Sequence, residues 1–199
     1  MHVDATTLAR AVPRWCEAMH AAAPELNALD GRLGDADLGA TLDKCATLMA
    51  QAVPELPDTL EGVFKRLAQA SAKASGSSFG TLLTVALMTA AKRCAGVPSL
   101  DRMAVAGMLE EVIQTLSARG GASLGDKTVL DGLQAIHLAL NAASDHADGG
   151  EVARQALQDA LDAFRDKPNR IGRARMFADK TIGLDDPGMV ALQRMAGAI

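Results

Sequence analysis

Tyrosine is absent, and one tryptophan and four phenylalanines bring aromatics to only 3% of the 199 residues. A chain so poor in aromatics and so rich in Ala, Leu and Met favours helices over sheets. Cysteine is scarce as well. Cys16, Cys45 and Cys94 are far apart and odd in number, with no CxxC or Cys/His spacing, which argues against a zinc site. Reduced thiols in the core of a cytoplasmic protein are the simpler reading. There is no excess of basic charge, and a net charge of −4 argues against a nucleic-acid partner. The opening MHVDATTLAR lacks a basic start followed by an apolar stretch, so no signal peptide is expected. The longest apolar-rich run, FGTLLTVALMTAA, is shorter than the roughly 20 residues that span a bilayer, so no membrane segment is expected either. What is plentiful is hydrophobic residues, at 49%, enough for one domain with a sizeable core over residues 1–199.

Nearly every segment carries helical periodicity. Leu8, Val12, Trp15 and Met19 fall on one helical face, with Pro13 predicting a kink or a late start. A second helix is expected from about Gly39 to Val53, where Pro54 stops it. A third opens at Asp58 and Glu61, a capping-box-like pair, and reaches about Ala72. FGTLLTVALMTAAKRC is apolar on most faces and reads as a central helix. SLDRMAVAGMLEEVIQTLSAR follows, then GDKTVLDGLQAIHLALNAA with Asp126 as its N-cap, then GEVARQALQDALDAFRD. The last helix starts with Asp186 as N-cap and Pro187 at N1. The expectation is all-α, about eight helices, with no strand hairpin. The polar, Gly-rich loops fall at 30–38, 74–78, 119–126 and 166–186.

Four of these loops could carry chemistry. LDGRLGDADLGATL collects Asp30, Asp35 and Asp37 among glycines. Oxygen ligands of this kind suit Mg²⁺, and three adjacent carboxylates repel unless a cation neutralises them. A solvated turn, or Asp37 as a helix cap, explains the same residues. KASGSSFGTLL opens a helix with small residues, offering phosphate free N–H groups or giving two helices a close contact. RGGASLGDKTVLD approaches a P-loop, but Asp126 intrudes before Lys127 and no strand precedes it, so that reading fails. Between 165 and 180 stand Arg165, Lys167, Arg170, Arg173, Arg175 and Lys180 against Asp166 and Asp179. Such a basic stretch suits phosphate, or is simply a solvated loop. The histidines add little. His137 sits in an apolar helical pattern and reads as a satisfied interior residue.

Together the four motifs resemble the nucleotide-binding L subunit of dihydroxyacetone kinases, the DhaL family. LDGRLGDADLG matches L-D-x-x-x-G-D-x-D-H-G except at the histidine, and ASGSSFGT matches A-S-G-x-x-x-G-T. GDKTVLDGL resembles G-D-K-T-M-x-D, and GRARMFADKTIGLDDPG resembles G-R-A-S-Y-L-G-x-x-S-I-G-H-x-D-P-G. The resemblance implies a single-domain barrel of eight antiparallel helices with a nucleotide, ADP or ATP, at one end beside two Mg²⁺ ions. Carried over by motif, Asp30, Asp35 and Asp37 hold the ions. Leu38, Gly39 and Thr41 follow them along the nucleotide. Ser75 and Gly76 contact phosphate, Gly121 and Val129 lie near the nucleotide, Arg173 reaches its phosphates, and Asp186, Pro187 and Gly188 complete the pocket. The chemistry implied is phosphoryl transfer to a small ketose. A separate K-type subunit holds that ketose, for which this chain has no room, and in one branch a phosphotransferase-system phosphocarrier recharges bound ADP.

The departures from the pattern are specific. Leu38 stands at the histidine position and Thr41 where Asn is frequent. Arg175, Met176, Ala178 and Leu184 replace Ser, Tyr, Gly and His. A regulatory helical module that binds nucleotide or a partner without transferring phosphate is the alternative. The sequence leaves open which branch applies, which sugar is used and whether the chain forms a homodimer.

Overall fold

The computed structural model describes residues 1–74 and 76–198, the side chain of Ala178 excepted. Among them are eight α-helices: α1 (Ala5–Leu33), α2 (Leu38–Ala52), α3 (Leu60–Ala74), α4 (Ser78–Arg93), α5 (Arg102–Gly120), α6 (Val129–Ala142), α7 (Gly149–Arg165) and α8 (Pro187–Ala196). Short polar side chains start most of them. Asp4, Ser77, Asp101, Asp148 and Asp186 each accept a backbone N–H of the first turn, which would otherwise be unsatisfied. Each helix packs on the next in sequence, and α8 returns to pack on α1, closing a ring. The result is the expected all-α barrel of antiparallel helices.

Antiparallel order sorts the connections by parity. The links α1–α2, α3–α4, α5–α6 and α7–α8 gather at one end of the barrel and the other links at the opposite end. The largest core cluster joins α1, α2, α3, α7 and α8 through side chains such as Met19, Leu26, Leu42, Val63 and Met189, all fully buried. A second lies under the far end, where Leu60, Phe64, Cys94 and Leu100 meet. The three thiols are buried and free, and burial raises each above its ordinary pKa.

Several local expectations need correction. The first helix starts at Ala5, not late, and continues through both Pro13 and Pro24. It also runs to Leu33, so Asp30 sits in its final turns rather than in a loop. Asp58 does not cap α3. Thr59, the residue before it, accepts the Gly62 N–H at 3.1 Å. Asp126 does not cap α6, because Thr128 and Asp131 form a reciprocal capping box there. Asp126 instead accepts the Ser123 N–H within its own turn. A two-stranded antiparallel ribbon is present, β1 (His2–Asp4) on β2 (Ser99–Asp101), with Val3 opposite Leu100. It pins the N-terminus to the start of α5.

Candidate functional site

The acidic turn is built by the end of α1 and the start of α2. Gly34 follows the helix because a Cβ there would lie 2.5 Å from Asp30 Oδ1. Ala36 takes a left-handed conformation, φ 62°, between Asp35 and Asp37. Asp30 Oδ2 accepts the N–H groups of Asp37 at 2.9 Å and Leu38 at 3.3 Å, so Asp30 serves as the cap of α2 from across the turn. Asp37 occupies the N-cap position but makes no side-chain cap bond. Its carboxylate is therefore not committed to the helix. Each of the three aspartates offers one oxygen, and those oxygens lie within 4.8 Å of one another. Asp30 is half-buried and Asp35 is exposed. Three hard oxygen donors converging on one point suit Mg²⁺ better than any softer metal. Arg173 reaches across from the α7–α8 connection to pair with Asp35.

The turn forms one wall of a cavity of about 620 Å³ at the loop end of the barrel. All four loops of that end contribute. Gly76, Ser78 and Phe79 come from the start of α4, Arg119 and Gly120 from the end of α5, and Thr128 and Val129 from the start of α6. Gly172 and Arg173, then Asp186, Pro187 and Gly188, come from the stretch before α8. Leu33, Leu82, Leu116 and Leu130 make an apolar patch within it. Thus α2, α4, α6 and α8 all begin at its rim, and the positive ends of their helix dipoles favour anions there.

Of the residues carried over by motif, Asp30, Asp35, Asp37, Leu38, Gly76, Val129, Arg173, Asp186, Pro187 and Gly188 line this cavity together. Gly39, Thr41 and Gly121 are not among the lining residues. At Gly39 the α2 backbone presses directly on α1, since a Cβ there would lie 2.0 Å from the Ala23 carbonyl oxygen. Gly121 is the left-handed C-cap of α5, φ 70°, donating to Ser117 O. Ser75 lies outside the described residues. Among the substituted positions, Leu38 is buried and Met176 is 74% exposed. His137 is satisfied internally, with Nδ1 2.9 Å from Ala106 O.

Sequence reasoning missed Arg119, Phe79 and Thr128 at the cavity, and above all Lys127 behind it. Lys127 is fully buried, with Nζ bonded to three backbone carbonyls. Burial lowers its pKa, although Asp186, Asp185 and Asp166 pull the other way. Asp186 caps α8 through Met189 N at 2.9 Å and accepts Asn169 Nδ2 at 2.8 Å. Desolvation outweighs these contacts and pushes its carboxyl up to about 6. Two of the basic residues are structural. Arg165 pairs with Asp162 and Asp185, each at 2.9 Å, and Lys167 Nζ sits 3.9 Å from the centre of the Phe164 ring. Arg170, Arg175 and Lys180 are exposed.

An eight-helix ring with an acidic turn facing a loop-end cavity defines a recognisable class, and the chain belongs to the DAK2 domain family, whose model matches residues 32–199. It is 29% identical over 180 residues to the L-erythrulose 1-kinase of Mycolicibacterium smegmatis, covering 88% of this chain and 32% of that protein. To the ADP-binding subunit DhaL of the PEP-dependent dihydroxyacetone kinase of Escherichia coli it is 25% identical over 175 residues, 85% of this chain and 83% of that one. The fold is similar to that of the C. freundii dihydroxyacetone kinase crystallised with AMP-PNP and Mg2+, at a TM-score of 0.77 and 24% identity, covering 100% of this chain and 34% of that chain. The chain therefore spans about a third of the length of the erythrulose kinases it matches and most of the DhaL subunit. Among the described residues no helix is long and apolar enough to cross a membrane.

Proposed function

We propose that the chain binds a magnesium nucleotide, ADP or ATP, in the loop-end cavity and serves phosphoryl transfer to a small ketose held by a K-type partner. The convergence of the Asp30, Asp35 and Asp37 oxygens within 4.8 Å, beside the Arg173 guanidinium, carries this reading. Such an arrangement serves a reaction that needs positioning and charge neutralisation rather than a covalent protein intermediate. Bound Mg²⁺, two ions by the family resemblance, would supply positive charge to offset the charge that develops during transfer. Asp30, Asp35 and Asp37 would hold the cations. The opening turn of α4 would offer N–H groups to phosphate oxygens, whereas the first-turn N–H groups of α8 are taken by Asp186. Arg173, which pairs with Asp35 beside the cavity, would supply a guanidinium suited to phosphate oxygens. Leu33, Leu82 and Leu116 give the base an apolar seat, and Leu38 extends it with a side chain that accepts no hydrogen bond.

Relatives of both branches support the reading, the ADP-binding DhaL subunits and the erythrulose kinases. The deciding experiment has two parts. Calorimetry with ADP and ATP, with and without Mg²⁺, tests the site. Mixing the chain with a K-type partner and dihydroxyacetone or erythrulose tests the reaction, one arm supplying ATP and the other a phosphorylated phosphocarrier. Magnesium-dependent binding with turnover in one arm is the expected result. Binding without turnover in either arm would favour the non-catalytic module, and no binding would remove the nucleotide reading altogether.

A further inference from the structure

An ammonium group has three N–H donors and no acceptor. Lys127 Nζ directs all three at backbone carbonyls: Arg165 O at 3.0 Å, Lys167 O at 2.7 Å and Thr181 O at 3.0 Å. Two of these carbonyls precede the Arg173 stretch and the third follows it. One side chain therefore grips both ends of a surface loop, leaving the span between free to project. Lesser ties close the same neck. Asn169 Nδ2 donates to Lys127 O at 2.9 Å, Asn169 N to Thr181 Oγ1 at 2.8 Å, and Gly183 N to Arg165 O at 2.9 Å. Beyond the neck the chain turns at Gly172, φ 69°, and presents Arg173 to Asp35.

A buried charge is a poor way merely to fill volume, since an apolar side chain of similar size fills it without desolvating an ion. What the ammonium adds is direction. It joins three points that lie 38, 40 and 54 residues away along the chain. The backbone at Lys127 is itself left-handed, φ 62°, a conformation a lysine holds only where the surroundings over-determine it. Its neighbour Thr128 lines the cavity, whereas Lys127 does not.

We propose that Lys127 is a positioning residue, which ties the neck of the 165–182 loop so that Arg173 stands at the mouth of the cavity. Its effect on ligand binding rests on the nucleotide reading above; its effect on the loop does not. The test is a double-mutant cycle of Lys127→Met and Arg173→Ala, read as Mg·ADP affinity, with trypsin cleavage after Arg170, Arg173 and Arg175 as a second readout. Lys127→Met should weaken Mg·ADP about tenfold when Arg173 is present and less than about twofold when it is Ala. Equal losses in both backgrounds, or none in either, would overturn the proposal. Loop cleavage should quicken at least about fivefold while helicity is retained, and an unchanged rate overturns it equally. Lys127→Arg keeps the charge but not the compact three-way donor, and should shift both readouts in the same direction. It takes over the comparison if the Met variant does not fold. If the unmodified chain binds no Mg·ADP, the nucleotide reading fails, and the cleavage rates alone decide whether Lys127 ties the loop.

Discussion

At Asp35 and Gly34 the role of a single atom can be separated from the role of the fold. Asp35 is exposed and its described partner is Arg173, so the helices do not depend on it. Asp35→Asn should lower Mg-nucleotide affinity at least about tenfold with the circular dichroism spectrum unchanged. Unaltered affinity would take Asp35 out of the site. Gly34→Ala is subtler. The added methyl would lie 2.5 Å from Asp30 Oδ1 and 3.3 Å from the Asp30 carbonyl oxygen, so the carboxylate must swing away and the backbone give slightly. Calorimetry should then show Mg²⁺ binding weakened roughly three- to tenfold, with stability lowered by about 1 kcal/mol as the Asp30 cap of α2 loosens. Sequence reading found these aspartates because their spacing is local. It did not find Lys127, whose partners are backbone carbonyls far along the chain, and carbonyls have no residue signature.

The elements show the same division. Periodicity and the Pro and Gly stops were enough to place the helices, because each helix declares its buried face within a few turns. Caps were less legible. Asp126 and Thr128 are both good caps by type, and the capping box with Asp131 decides between them only once the turn has folded. The ribbon left no signal at all, since two three-residue strands pair across almost half the chain. Gly39 is a further case, placed by motif beside the nucleotide and found pressed against α1. Gly39→Ala would drive a Cβ to 2.0 Å from the Ala23 carbonyl, which is backbone and cannot swing away. The α1–α2 pair must separate, at a cost of about 2–3 kcal/mol, and chemical denaturation should show the midpoint falling without loss of cooperativity.

For the whole molecule, one half-buried carboxyl in the cavity wall, that of Asp186, sets a pH dependence. Asp186 is raised from 3.8 to about 6 in the folded chain, so the folded state holds its proton more tightly than the unfolded state does. The stability this contributes is fully present below pH about 4 and is lost as pH rises through about 6. Asp186→Asn keeps a cap for α8 but has no proton to exchange. Denaturation across pH 4 to 7 should therefore show the parent chain losing up to about 3 kcal/mol relative to the variant. Parallel curves would remove Asp186 as the titrating group.

A ring of antiparallel neighbours closes only with an even number of members. Once α8 returns to α1, half of the helices must begin at the same end, and here that end carries the cavity. The positive helix ends gathered at the cavity are thus partly a matter of parity. They arise from the count and alternation of the helices before any side chain is chosen, and they persist through substitution at Leu38, Met176 or Leu184. Side chains can therefore drift around the rim while the rim stays attractive to anions, provided the ring stays closed.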